Sequence, residues 1–142
     1  MVDPADRLDA VALLSLLCGG VPSVVKCCEH LGNPHPKERP RTYRGRTHTP
    51  AKTVIATRAL ARTLKTTNPP THSVPAPVAL VCLFYRKDRR NCDIDNLLKL
   101  AMDAGNEARI WHDDCLVKAV SARMAVDKHA PRTVVAWCEM AR

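Results

Sequence analysis

Between Val78 and Tyr85 the chain reads Val-Ala-Leu-Val-Cys-Leu-Phe-Tyr, an apolar, β-prone run with no charge in it. Such a run is a buried strand. Its sequel is Arg89-Arg90-Asn91-Cys92-Asp93-Ile94-Asp95-Asn96-Leu97-Leu98-Lys99. Asp95 or Asn96 is a good N-cap, and Leu97 to Ala108 has helical propensity throughout except at Gly105. On a helical wheel Leu97, Leu98, Ala101, Ala104, Gly105 and Ala108 share one side, and Asn96, Lys99, Asp103, Asn106 and Glu107 the other. The chain is therefore committed to a buried strand, a charged turn and an amphipathic helix in that order. An α/β fold follows.

The carboxylates in that turn need a physical account. If Asp93-Ile94-Asp95 is still extended, the period of two puts both acids on one side and Ile94 on the other. Two acids that close repel unless a cation lies between them, which points to a hard divalent ion such as Mg²⁺. Lys99 follows Asp95 by one turn, where its ammonium can neutralise a phosphate without displacing a metal. Ile110-Trp111 leads into another strand, and His112-Asp113-Asp114 would bring a further acid to the same place. An ordinary role competes with this one, since Asp-x-Asp is frequent in loops and helix caps. An EF-hand would need glycine at Leu98 and glutamate at Ala104, and an Asp-x-Asp-x-Thr phosphotransferase would need threonine at Leu97. Neither fits. Lys99, Asp103 and the Asp113-Asp114 pair, added to Asp-x-Asp-Asn, favour chemistry over capping.

The block from Arg89 to Lys99, then Met102-Asp103-Ala104, then Ile110-Trp111-His112-Asp113-Asp114, resembles the signature of RusA-type Holliday junction resolvases. Gly32-Asn33-Pro34-His35-Pro36-Lys37-Glu38-Arg39-Pro40-Arg41 is similar to that family's N-terminal basic segment. The resemblance covers about residues 24–140 and is densest in the middle. It implies that Asp93, Asp95 and Asp114 are metal-binding acids, with Asp113 the first acid of the family's Asp-Asp pair. It implies that Lys99 is the basic residue needed for cleavage. Mg²⁺ would be the cofactor, with Mn²⁺ able to substitute. It also implies a mixed sheet with helices packed on it, and a homodimer that nicks opposing strands of a four-way DNA junction during recombination and repair. Leu116 stands where the family often has glutamine, and Gly105 where leucine is commoner.

Charge points the same way. The net charge is +8, which favours a polyanionic partner, nucleic acid first. From Arg39 to Lys87 there are ten lysines and arginines and no aspartate or glutamate. Arg41 to His48 reads as a hairpin turning at Arg44-Gly45, and Thr49-Pro50 opens a helix running to about Thr66. That helix turns Ala56, Ala59, Leu60 and Leu64 inward, and Arg58, Arg62 and Lys65 outward. A basic stripe is usually a solvated face. The lack of nearby acids makes phosphate contact the better reading here, through Lys37, Arg39, Arg41, Arg44, Arg46, Arg58, Arg62, Arg89 and Arg90. Such contacts hold DNA without reading its sequence.

The ends of the chain are less informative. Asp3-Pro4 starts a helix that Gly19-Gly20 stops. Its apolar stretch is too short to span a membrane, and three aspartates against one arginine give the wrong charge for a signal peptide. The expected arrangement is a helical extension over 1–20, packed on the core or on a second subunit, and a nuclease-like domain over 21–142. Seven irregularly spaced cysteines argue for a reducing, cytoplasmic setting rather than a disulfide framework. Cys27, Cys28, His30 and His35 are zinc-type ligands, yet adjacent cysteines on a strand point to opposite faces, so apolar filling is preferred. Asn68 to Pro77 is a proline-rich connector, and Val117–Val126 and Thr133–Met140 are expected to pair as an antiparallel hairpin. The principal expectation is a Mg²⁺-dependent endodeoxyribonuclease for four-way junctions. The rivals are a non-catalytic DNA-binding accessory and a metal nuclease acting on other branched DNA.

Overall fold

Asp3 and Gly19 bracket the first helix as their chemistry dictates. The Asp3 carboxylate accepts the Ala5 N–H at 2.8 Å, Pro4 opens the first turn, and Gly19 adopts the left-handed conformation at φ 70°. The computed structural model describes residues 1–67 and 74–141. Along them α1 (Pro4–Cys18) leads to β1 (Lys26–Leu31) and to the hairpin strands β2 (Arg41–Tyr43) and β3 (Arg46–His48). Next come α2 (Ala51–Thr67), β4 (Val78–Arg86) and α3 (Ile94–Glu107). A 3₁₀ turn (Asp114–Leu116), β5 (Val117–Val126) and β6 (Arg132–Glu139) complete the order. Most of the proline-rich connector, residues 68–73, lies outside the described residues.

The basic hairpin turns where expected. Arg44 and Gly45 both take positive φ, 51° and 74°, the twist-matched geometry of a two-residue hairpin loop. The helix after Pro50 is also as the sequence predicts, with Leu60 and Leu64 buried and Arg58, Arg62 and Lys65 exposed.

One expected pairing is overturned. β5 and β6 do not form a hairpin, because β4 lies between them in the sheet order β1-β6-β4-β5. β4 runs parallel to β5 and antiparallel to β6, and β6 in turn runs antiparallel to β1. The physical reason lies in burial. Eight of the nine β4 residues are buried, so the strand must be flanked on both edges, and the partly exposed β5 is suited to the outside. The turn between β5 and β6 crosses the end of β4, where the Asp127 N–H donates to the Arg86 carbonyl at 2.8 Å.

Both faces of the sheet are covered, giving three layers. Val78, Leu80, Cys82 and Phe84 of β4 face α2 and α3, together with Leu64, Leu97, Ala101 and the two tryptophans. Ala79, Val81 and Leu83 face α1, against Ala10 and Leu14. A polar network pins α1 down. Asp6 accepts from Tyr85 Oη at 2.6 Å and from Arg132 Nε at 3.0 Å, and Arg132 also pairs with Asp127 at 2.9 Å while lying over the Tyr85 ring. Burying an aspartate is tolerable because every charge in that cluster is paired. Cys27 packs on the α1 side and Cys28 on the α2–α3 side, so they do not ligate together. His30 bonds to the Thr63 hydroxyl at 2.7 Å instead.

Candidate active site

The start of α3 differs from the expectation in a way that matters. Neither Asp95 nor Asn96 is the N-cap, and Asp93-Ile94-Asp95 is not extended. Asp93 is the N-cap at φ −80°, ψ 126°, and Ile94 and Asp95 already belong to the helix. The period-of-two placement of the two acids therefore fails. Sequence favours this start, since Asp93 is itself a preferred capping residue. Asp93 at the cap and Asp95 in the first turn both lie at the helix N-terminus, where the helix dipole favours negative charge.

Asp93 caps with its backbone alone. Its carbonyl accepts the Asn96 and Leu97 N–H groups at 3.2 Å each, and its carboxylate makes no capping bond. The only side-chain neighbour bonded to it among the described residues is the Asn96 amide, at 3.4 Å. The carboxylate faces an open cleft of about 510 Å³, whose other wall carries Lys37, Glu38, Arg39 and Arg41. Lys99 Nζ lies 3.6 Å from Asp95 Oδ2, both groups well exposed. Asp93, Asp95 and Lys99 are thus together at one end of α3.

Asp113 and Asp114 are not with them. Val117 pairs with Val78, the first residue of β4, whereas Asp93 follows the last residue of that strand by a short loop. The helix returns antiparallel to β4, and its 14 residues span about 20 Å. Ile110 N–H donates to the Gly105 carbonyl, and Trp111 Nε1 donates to Asn106 at 2.7 Å, which fixes the Asp-Asp pair near the helix C-terminus. Among the described residues, no three His, Cys, Asp or Glu side chains of one chain gather to hold an ion. Within the pair, hydrogen bonding with the Asp114 carboxyl, and then with Cys115, holds Asp113 below the usual carboxylate range. His112 is exposed and lies beside this pair.

The basic residues divide into engaged and free. Lys37 pairs with Asp103 at 2.7 Å, Arg41 with Glu38 at 3.7 Å and Arg90 with Asp88 at 3.7 Å. Arg44 lies over the Tyr43 ring. Arg39, Arg46, Arg58, Arg62 and Arg89 are exposed and make no ion pair among the described residues. Arg58 borders a second groove between α2 and α3, shared with Lys37 and Asp103.

Two functional neighbours escaped the sequence reading. Asn96 was read as a cap or a surface residue, yet its carbonyl accepts the Lys37 N–H at 2.9 Å and its amide meets Asp93. Arg86, at the end of β4, is buried and donates to the Pro34 carbonyl at 3.0 Å, while Asn33 accepts the Lys87 N–H. Together they hold the basic 33–41 segment against the Asp93 end. An arginine closing an apolar strand was the available signal for Arg86. Asn96 gave none apart from its place after the acids.

A mixed sheet carrying an unspent carboxylate at a helix start, faced by a basic wall, defines a protein that works on phosphodiesters. The family model for endodeoxyribonuclease RusA matches residues 32–136. The chain belongs to the RusA family, and it is accordingly an endodeoxyribonuclease, a hydrolase acting on DNA. No curated protein matches it. No helix among the described residues is long and apolar enough to cross a membrane. The match begins after α1 and β1, so the helix that closes one face of the sheet lies outside it.

Proposed function

We propose that the protein nicks four-way DNA junctions in pairs, as a cytoplasmic homodimer serving recombination and repair. The observation that carries this is the Asp93 carboxylate, which occupies a capping position without capping and looks across the cleft at Lys37, Arg39 and Arg41. A residue present only to start a helix would spend that carboxylate on the helix N–H groups.

The donor set suits a hard divalent cation, since it offers carboxylate oxygens, and the Cys92 that lines the same cleft is kept a protonated thiol by burial. Asp93 and Asp95 of one chain would hold Mg²⁺, with Mn²⁺ an acceptable substitute; Asp114, with Asp113 an additional donor, lies a helix length away in its own chain and would reach the ion only from the second copy of the proposed homodimer. The ion supplies Lewis acidity at the scissile phosphate and a more acidic water. Lys99 contributes positive charge beside Asp95, where negative charge grows as the water oxygen bonds to phosphorus and the bond to the 3′ oxygen breaks. Its i,i+4 contact with Asp95 holds the ammonium at that end of the helix. The exposed arginines of the hairpin and of α2 hold the junction arms by phosphate charge and shape.

The test is a labelled four-way junction incubated with the protein in Mg²⁺ or in EDTA, beside flap and duplex substrates. Symmetric nicks in the junction alone, abolished by EDTA, are expected. Cutting of flaps or duplex at equal rate would move the assignment to a general branched-DNA nuclease. Binding without cutting under every metal condition would overturn the proposed site.

A further inference from the structure

The two ends of α1 are tied to the sheet by different means. Near its N-terminus, Asp6 bonds to Tyr85, toward the end of β4, and to Arg132, and Asp9 pairs with Arg123 at 2.7 Å. The last turn has no such anchor among the described residues. Its Ser15 hydroxyl turns back to the Val11 carbonyl, and the Gly20 N–H returns to the Ser15 carbonyl. Leu14 and Leu17 hold that end by apolar packing.

What meets the sheet there is sulfur. Cys18 Sγ lies 3.5 Å from Cys138 Sγ, across 120 positions of sequence. Cys138 sits in β6 opposite Ala79, near the start of β4, so the thiol pair is at the far end of α1 from Asp6. No other two thiols are hydrogen-bonded to each other among the described residues. Cys28 and Cys82 flank Val135 from opposite strands, two strand spacings or about 10 Å apart. Both members of the Cys18–Cys138 pair also lie outside the family match over residues 32–136.

The two thiols are not equivalent. Cys18 is partly exposed, and the space around Gly19 and Gly20 beside it is open. Cys138 is 3% exposed. Burial, and then the Cys18 sulfur, push the Cys138 thiol up to about 12, so it keeps its proton and donates towards Cys18. An oxidant arriving from solvent therefore meets Cys18 first. The sulfurs need to approach by only about 1.5 Å to reach bonding distance.

We infer that Cys18 and Cys138 form a reversible redox site, oxidised by peroxide, whose disulfide locks the C-terminal end of α1 onto β6. The Cys18 sulfur attacks one peroxide oxygen and the O–O bond breaks. The second oxygen leaves as water with the thiol proton, and Cys18 becomes a sulfenic acid. The Cys138 sulfur then attacks the Cys18 sulfur. An S–S bond forms, the S–O bond breaks, and the hydroxyl leaves with the Cys138 proton as a second water. The two thiols lose two electrons and the peroxide gains them. A thiol reductant reverses the step by exchange, which suits a reducing compartment, where disulfides are transient and sense oxidation.

The full chain is treated with hydrogen peroxide, its remaining thiols are alkylated, and its peptides are mapped by mass spectrometry without reduction. A Cys18–Cys138 peptide pair is expected, and dithiothreitol should abolish it. The oxidised protein should unfold at a midpoint roughly 10 °C above the reduced protein, because the bond closes a loop spanning 120 positions. Cys138→Ala should lose that rise and accumulate a dimedone adduct at Cys18, whereas Cys18→Ala should leave Cys138 without one. Peroxide-treated wild type whose Cys18 is oxidised with no link to Cys138 overturns the inference, as does a link that forms only in urea. A link with no rise in the midpoint overturns the locking of α1. None of these readouts uses DNA cleavage, so the inference stands or falls apart from the nuclease reading.

Discussion

The two ends of α3 carry the same residue type in different circumstances. At the N-terminal end, Asp93 and Asp95 are spaced two apart at the positive pole of the helix, and Asp93 lines a basic cleft. At the other end, Asp113 and Asp114 are adjacent, with the Asp113 carboxyl held below its ordinary range, and Trp111 before them is packed under Gly105. One pair is presented by a helix start and one by a strand start. The difference teaches that one residue type is set in place by local capping at one end and by the pairing of β5 with β4 at the other.

The comparison is broken most severely at the acids themselves. Asp93→Asn should cut junction cleavage by about a thousandfold, the scale seen when one preorganised charge is removed from a site. Asp114→Asn should do the same from the opposite end of the helix. Junction affinity should persist in both, as read by gel shift. A full loss from Asp93→Asn beside normal cutting by Asp114→Asn would remove the strand end from the site. Lys99→Ala should be milder, roughly a hundredfold slower with binding retained.

Next is the support of the second end. A Cβ on Gly105 would run into the Trp111 ring, so Gly105→Ala should lose about 1–2 kcal/mol in urea unfolding even though alanine favours helix. Displacement of Trp111 should disturb Asp113 and Asp114 while leaving Asp93 in place. Gly105→Ala should therefore lose more cleavage than junction binding.

Smaller effects are expected from the DNA surface. Arg58→Ala with Arg62→Ala should weaken junction binding about equally for all sequences, and lower the salt slope of log affinity by up to about two. An unchanged slope would take α2 out of the DNA surface.

The smallest effect concerns acid pH. Asp113 is held below its ordinary value of 3.8 by Asp114 and then Cys115, so its folded form binds a proton less readily than its unfolded form. Its contribution to stability is present above that ordinary value and is lost as pH falls through the lowered one. Asp113→Asn should flatten the acid limb of the stability curve below about pH 4, slightly, because the group is exposed.

Much of the fold was legible along the chain. Asp3-Pro4 and Gly19-Gly20 bracketed α1, Arg44-Gly45 set the hairpin, and the apolar run marked β4 to within one residue. These features depend on caps, turns and periodicity, which act over a few neighbours. The strand order was not legible. Alternation in Val120, Ala122, Met124 and Val126 fixes which face each residue takes, but not which strand lies alongside, so β4 could enter between β5 and β6 unannounced. The start of α3 was misplaced because Asp93, Asp95 and Asn96 are all good caps.

The candidate site divides in the same way. The residue types, the lysine one turn after Asp95 and the acid-free basic stretch are properties of the sequence, and with them came the expectation of a nuclease of this family. Whether the acids meet is a question of distance. The parallel pairing of β4 with β5 set Asp113–Asp114 a whole helix length from Asp93, because the connection between parallel strands must return to the start of the first strand before the second begins. Local chemistry acts between neighbours along the chain and can be read from them. Separation in space depends on which surfaces are buried together, and only the packed sheet decided that.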